Sequence, residues 1–147
     1  MNRAFPLQSL LDLSQLRLDE AGRKLGKLIA GEQEASRRHA LLVSYREEYR
    51  TRFVSAAQDG LRPSEWQNFA SFLAKLDEAI KQADMAMTQT RHQTAAGQTE
   101  WVNKRGRVKA FDTLADRHQS RLDYQDQRQE QKASDEHGAR LAQKTED

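Results

Sequence analysis

The sequence predicts an all-α protein in which two long helices form an antiparallel coiled-coil hairpin. Three observations carry this prediction. The 147 residues include only two prolines and seven glycines, the turn signals are concentrated at one place, and the apolar residues recur with a seven-residue period. A chain of this length suits a single domain, so we expect one hairpin over residues 1–147.

The first helix is predicted over about residues 7–57, because its apolar residues follow a heptad with Leu11, Leu18 and Leu25 at position a. Position d is apolar or small along the whole helix, from Ser14 to Ala56. Position a becomes polar in the middle of the helix, at Glu32, His39 and Arg46. Polar a residues set the register of a coiled coil more than its stability.

The predicted turn lies at about residues 58–62. Gly60 suits the left-handed conformation that often follows the end of a helix. Pro63 suits the first turn of the next helix, where its missing N–H is not needed. A connection this short makes the two helices antiparallel.

The second helix is predicted over about residues 63–142. Alternating steps of three and four trace one stripe from Trp66 to Leu122 without a skip. Folding at the turn pairs residues whose numbers sum to roughly 121–122, so that Leu11 faces the neighbourhood of Phe111. Residues after about 115 then form an overhang, which is either a solvated tail or a helix that becomes ordered inside a partner.

One apolar and aromatic surface flanks the predicted seam near the turn. Tyr45, Phe72 and Ala79 fall at position g, where a coiled coil ordinarily carries Glu and Lys. The pairing rule places them close to the seam residues Leu42, Tyr49 and Leu76. A widened seam is the alternative interpretation, but the aromatic clustering on a slender hairpin favours a docking face.

A basic run lies on the second helix, opposite the start of the first helix near Arg17. Its members are Lys104, Arg105, Arg107 and Lys109. The run is either a solvated helix face or an electrostatic contact with an acidic protein ring. Because 24 Lys and Arg residues face 22 Asp and Glu residues, the net charge is only +2, which is small for a nucleic-acid-binding protein.

The sequence contains no motif of an enzyme or a metal site. Phosphate loops, nucleophile elbows and zinc-protease helix motifs are missing, and a two-helix hairpin lacks a concave, water-excluding pocket. Cysteine is absent and the four histidines are scattered. We therefore expect no catalysis, no cofactor, no metal and no small-molecule substrate. The chain has no long apolar run for a signal peptide or membrane span, which predicts the cytoplasm.

Several stretches together resemble the FliJ family of flagellar export proteins over most of the chain. They are the run Tyr45-Arg46-Glu47-Glu48-Tyr49-Arg50, the glycine-containing turn, Trp66-Gln67-Asn68-Phe69 with Phe72, Leu76, Glu78, Ala79 and Ile80, and later Trp101, Lys104 and Thr113-Leu114-x-x-Arg117.

The resemblance implies a coiled coil similar to the central stalk of rotary ATPases, within the type III export apparatus at the flagellar base. It implies binding to the ring of the export ATPase FliI, whose assembly and activity the protein promotes, and to the cytoplasmic domain of the export gate FlhA. It further implies a link to export-chaperone cycling and a peripheral position at the inner membrane.

The resemblance also assigns residues to the two contacts. Those for the gate are Leu42, Tyr45, Tyr49, Phe72, Leu76 and Ala79. Those for the ATPase ring are Leu11, Leu18, Trp101, Arg105, Phe111 and Arg117.

Two other functions are compatible with the helical pattern. One is a homodimeric coiled-coil spacer or adaptor with no link to an ATPase, in which the seams pair between two chains, whereas the hairpin predicts a monomer. The other is a basic coiled coil whose affinity for nucleic acid falls steeply with salt. We favour the export component and expect no nucleic-acid partner.

Overall fold

The computed structural model describes residues 3–146 and contains two long helices. Helix α1 spans Gln8–Asp59 and has 52 residues. Helix α2 spans Pro63–Glu146 and has 84 residues. The described residues include no strand, and the predicted all-α hairpin of two long helices is confirmed. Residues 1, 2 and 147 of the predicted domain lie outside the described range.

The turn has the local chemistry that its sequence indicates. Gly60 directly follows α1 and has a φ of 96°, a left-handed conformation that costs glycine little. Its N–H donates to the carbonyl oxygen of Ala57 over 3.2 Å, which satisfies one of the unpaired carbonyls at the helix end. Helix α2 begins at Pro63, so three residues separate the end of α1 from the start of α2.

Burial along the helices follows the predicted heptad. Every a and d position of α1 from Leu11 to Ala56 is buried or half-buried, and so is every stripe position of α2 from Phe69 to Leu122. Trp66, which was predicted to begin the α2 stripe, is exposed. The apolar stripe therefore pairs the helices over nearly its whole predicted length.

The chain divides into two compact units. We call the segment Glu20–Val102 the turn unit, and the remainder, up to Asp19 and from Asn103 onward, the terminal unit. The two helices run antiparallel within each unit. In the turn unit, Phe53 packs against Trp66 with ring centroids 4.9 Å apart.

The middle of the turn unit is held by polar as well as apolar contacts. The Thr94 hydroxyl donates to the carbonyl oxygen of Leu28 on the opposite helix over 3.2 Å. Lys24 and Glu100 form an ion pair at 3.2 Å between the helices. These pairs lie within a few residues of the predicted register.

In the terminal unit, the segment before α1 continues along α2. The ring of Phe5 lies 5.8 Å from the ring of His118, and His118 Nε2 donates to the carbonyl oxygen of Arg3 over 3.1 Å. Arg3 forms an ion pair with Asp126 at 2.7 Å. The unpartnered part of α2 therefore begins later than the predicted residue 115, because residues ahead of α1 extend the pairing. Every residue from 127 to 146 is exposed.

Neither helix contains a stretch that is apolar enough to cross a membrane, within the residues that the structure describes.

Candidate protein-binding surfaces

Three aromatic side chains of the turn unit interlock beside the seam. The Tyr49 ring packs on the Phe72 ring at a centroid distance of 4.4 Å. The Tyr45 ring meets the Phe72 ring edge-on at 6.2 Å and an interplanar angle of 77°. The edge-on geometry of the Tyr45–Phe72 pair is favourable for aromatic rings, and the Tyr49 and Phe72 rings are tilted by 54°. Phe72 therefore links two tyrosines that are one helical turn apart on α1.

The structure brings the six predicted gate residues into one unit but at different depths. We call this set the aromatic patch, and its members are Leu42, Tyr45, Tyr49, Phe72, Leu76 and Ala79. Leu76 is only 7% exposed and belongs to the core. Tyr45 is 44% exposed, and the other four are half-buried. Leu76 thus packs in the core beneath the patch, and Tyr45 has the largest exposed fraction of the six residues.

A second aromatic group lies between the patch and the turn. The Phe53 ring contacts Trp66 and also Phe69, at 5.2 Å from the latter. Phe69 in turn lies 5.2 Å from Tyr49, so the two groups are continuous. The sequence places Phe53, Trp66 and Phe69 at seam positions of the heptad and does not assign them to a binding surface. Their recurrence at seam positions next to the turn is the signal by which they could have been added to the surface.

A charged pair crosses the helices next to the aromatic patch. Arg46 Nε donates to Asp77 Oδ1 over 2.5 Å. This hydrogen bond, with the attraction of the carboxylate, raises the pKa of Arg46 above its ordinary value. The guanidinium is half-buried at a seam position, which explains how arginine is accommodated at position a. The patch is therefore bordered by a charge pair that is already satisfied within the chain.

The residues predicted to contact an ATPase ring are divided between the two units. Leu11 is buried in the seam of the terminal unit, and Leu18 and Phe111 are half-buried there. Arg105 and Arg117 of the same unit are exposed. Of these residues, the two arginines are accessible at the surface, whereas Leu11 is covered in the seam.

Trp101, the remaining predicted ring residue, belongs to the turn unit. Its indole lies beside Gly22 of α1, and a Cβ at Gly22 would come 3.5 Å from the indole Nε1. The ring is half-buried. The 3.5 Å distance is an ordinary van der Waals contact, so Trp101 packs in the seam directly against the Gly22 position of the facing helix.

The arrangement as a whole suits binding. Tyr45 offers an aromatic face and a hydroxyl together, a combination enriched at protein interfaces. No group of three or more His, Cys, Asp or Glu side chains within residues 3–146 is placed to hold a metal ion. Around Tyr45, the described surface presents apolar and aromatic area on a two-helix scaffold.

A helical hairpin of two long helices, with an aromatic patch near its turn, places the chain in the class of two-helix coiled-coil proteins. Comparison with known proteins then identifies the family. The model of the family described as flagellar FliJ protein matches residues 3–147, and this chain belongs to that family.

Two curated relatives agree with this assignment. The flagellar FliJ protein of Salmonella typhi is 31% identical over 136 residues, which are 92% of each chain. The flagellar FliJ protein of Escherichia coli strain K12 is 29% identical over 136 residues, again 92% of each chain. Membership of the family implies that the chain is a component of the flagellar export apparatus.

Proposed function

We propose that this protein is a non-enzymatic component of the flagellar export apparatus that binds the ring of the export ATPase FliI, promotes its assembly and activity, and couples it to the export gate FlhA. The observation that carries the proposal is the aromatic patch, in which Phe72 joins Tyr45 and Tyr49 on an accessible face. Family membership over residues 3–147 supports it.

The gate contact is assigned to the aromatic patch. An interface gains most from a few rigid aromatic anchors, and Tyr45 is accessible while its ring is already held by Phe72. Because the ring is preordered, little side-chain entropy is lost on binding. The cytoplasmic domain of FlhA would therefore bury Tyr45 together with the exposed edges of Tyr49 and Phe72.

The ATPase contact is assigned to the terminal unit with Trp101. Exposed Arg105 and Arg117 suit hydrogen bonds to carboxylates of the ring subunits. Leu18 and Phe111 supply apolar area in the seam of the same unit, where both are half-buried. The C-terminal overhang, which is exposed throughout residues 127–146, would become covered inside the ring.

Coupling requires that each partner change the protein's affinity for the other. A single protein that holds a ring at one surface and a gate at another provides such a link, and export chaperones would exchange on the same assembly. The protein would then work in the cytoplasm, peripherally attached to the inner membrane at the flagellar base.

The first experiment is a titration of the FliI ATPase rate with this protein, with the hexamer fraction followed in parallel by light scattering. We expect both quantities to rise together and saturate. No change in either, with a protein that is helical by circular dichroism, would contradict the ring contact and leave a chaperone-handling or spacer role.

The second experiment separates the two contacts. We expect Tyr45→Ala combined with Phe72→Ala to weaken FlhA binding by at least about tenfold and to reduce motility, while ATPase stimulation stays near normal. Val54→Ala is the matched control, because Val54 is a 48% exposed apolar residue of α1 outside the patch. Loss of both FlhA binding and ATPase stimulation, together with loss of the helical signal, would show that the variant is unfolded. That result would contradict the assignment of the two contacts to separate surfaces.

A further inference from the structure

An apolar groove lies in the terminal unit, between the first turns of α1 and the facing part of α2. Leu10 and Leu13 form one side, and Phe111 forms the other. The groove has a volume of about 340 Å³. It is therefore large enough to receive apolar side chains of another molecule.

Leu10 and Leu13 are not seam residues of the hairpin. Leu11 and Ser14 are the seam residues of this part of α1, and both are buried. Leu10 and Leu13 lie beside them and are 47% and 40% exposed. Two large apolar side chains facing the same groove and left accessible to water are typical of an interaction surface.

The rim of the groove is basic. Arg17, Lys104 and Arg107 line it, and none of the described acidic side chains lines it with them. Within residues 3–146, none of the three forms an ion pair or a side-chain hydrogen bond. A ligand that brought carboxylates to this rim would therefore meet cations that are not already neutralised by direct contacts.

We propose that this groove binds an acidic amphipathic helix of a partner protein. Such a helix places apolar side chains into a groove at i, i+3 or i+4 spacing, and here its flanking Asp or Glu residues would pair with the basic rim. Nucleic acid is a poorer match, because the apolar side chains that line the groove cannot form hydrogen bonds or ion pairs with phosphates. A second copy is also a poorer match, because a symmetric contact through this groove would bring two basic rims together.

The test uses the full chain and synthetic peptides. The probe is a labelled helical peptide of about 18 residues with leucines at i, i+3 and i+7 and glutamates beside them. The control peptide has lysines in place of the glutamates. In fluorescence anisotropy at physiological salt, we expect saturable binding of the acidic peptide and at least about tenfold weaker binding of the basic one. The assay contains no ATPase, so its result is separate from that of the ring contact.

Variants of the chain locate the site. Leu10→Gln combined with Leu13→Gln is expected to weaken binding of the acidic peptide about tenfold or more. Leu41→Gln is the matched control, since Leu41 is a 69% exposed leucine of the turn unit, and it should leave binding unchanged. Arg17→Glu combined with Arg107→Glu should reverse the preference, so that the basic peptide binds more tightly. Circular dichroism checks that each variant remains helical.

Several results would overturn the proposal. They are equal affinity for the two peptides, no saturable binding of the acidic peptide up to about 1 mM, or groove variants that bind like the parent. Binding of phosphatidylglycerol vesicles or duplex DNA in place of the peptide would also overturn it, because the groove would then recognise another kind of ligand.

Discussion

Gly97 allows a close approach of the two helices in the turn unit. A Cβ at this position would lie 2.5 Å from Cδ1 of Leu28, which is too close for two carbon atoms. One turn earlier, Thr94 donates a hydrogen bond to the carbonyl oxygen of the same leucine. The missing side chain at Gly97 thus makes room for Leu28.

We predict that Gly97→Ala lowers the free energy of unfolding relative to Gly31→Ala. Both substitutions raise helix propensity by about 1 kcal/mol, and outside the adjoining stretch of its own helix no described atom lies within 4 Å of a Cβ at Gly31. Only the first forces Leu28 to move, at a cost of about 1 kcal/mol or more. Urea unfolding of both variants measures the difference, and equal stabilities would show that Leu28 repacks freely.

Leu76 and Tyr45 belong to the same aromatic patch but differ in what they stabilise. Leu76 is 7% exposed, whereas Tyr45 is 44% exposed. We predict that Leu76→Ala lowers the free energy of unfolding by about 2–4 kcal/mol and that Tyr45→Ala lowers it by about 1 kcal/mol or less. Thermal unfolding checks this, and similar losses would show that Tyr45 is part of the core.

At the scale of elements, the segment ahead of α1 is held to α2 by a small set of contacts. His118 takes part twice, through its ring against Phe5 and through its hydrogen bond to the Arg3 carbonyl. Arg3 adds an exposed ion pair with Asp126. Exposed ion pairs stabilise weakly, so the apolar contact of Phe5 matters more for this attachment.

We predict that Asp126 titrates below the ordinary range of an aspartate. The hydrogen bond from Arg3 lowers the pKa of the Asp126 carboxyl. A carboxyl whose pKa is lower in the folded state adds stability above its unfolded pKa, and that stability is lost as the pH falls through the folded pKa. The contribution of the Arg3–Asp126 ion pair should therefore be lost as the pH falls below about 4.

Carbon-13 NMR of the Asp126 side chain measures this titration. Arg3→Ala is the control and should return the pKa to its ordinary value. An unchanged pKa in that variant would show that the ion pair is not formed in solution.

For the whole molecule, the pairing within each unit leaves the seam of each helix occupied by the other helix. The a and d positions from Leu11 to Ala56 and the stripe from Phe69 to Leu122 are covered in a single chain. A second copy would have to compete with this internal pairing. The homodimeric spacer would pair these seams between two chains. In this structure the same seam positions are already covered by the other helix of the chain.

We therefore predict a monomer of 16.9 kDa in light scattering at micromolar concentration. Because the C-terminal overhang is exposed, removal of residues 127–146 should not change this state. A mass of twice this value that falls on dilution would instead favour the homodimeric alternative.

Most of the fold could be predicted from the sequence because its signals are local or strictly periodic. A glycine before a proline-headed helix specifies the turn at Gly60 and Pro63, and a seven-residue repeat specifies which face is covered. Heptad position predicts burial better than residue type does. Leu41 is exposed because it lies off the seam, whereas Glu32 and His39 are half-buried because they lie on it. The aromatic patch was found by the same periodicity.

Contacts outside the repeat were decided only by the tertiary structure. The attachment of Arg3 and Phe5 to α2 comes from a segment with no heptad, so no period could predict where the unpaired part of α2 begins. The groove beside Leu10 and Leu13 depends on which side chains of α2 pack against this part of α1 and on how much volume they leave unfilled. A repeat specifies the face on which two helices meet, but the surfaces beside that face depend on the packing of particular side chains, which forms only when the chain has folded.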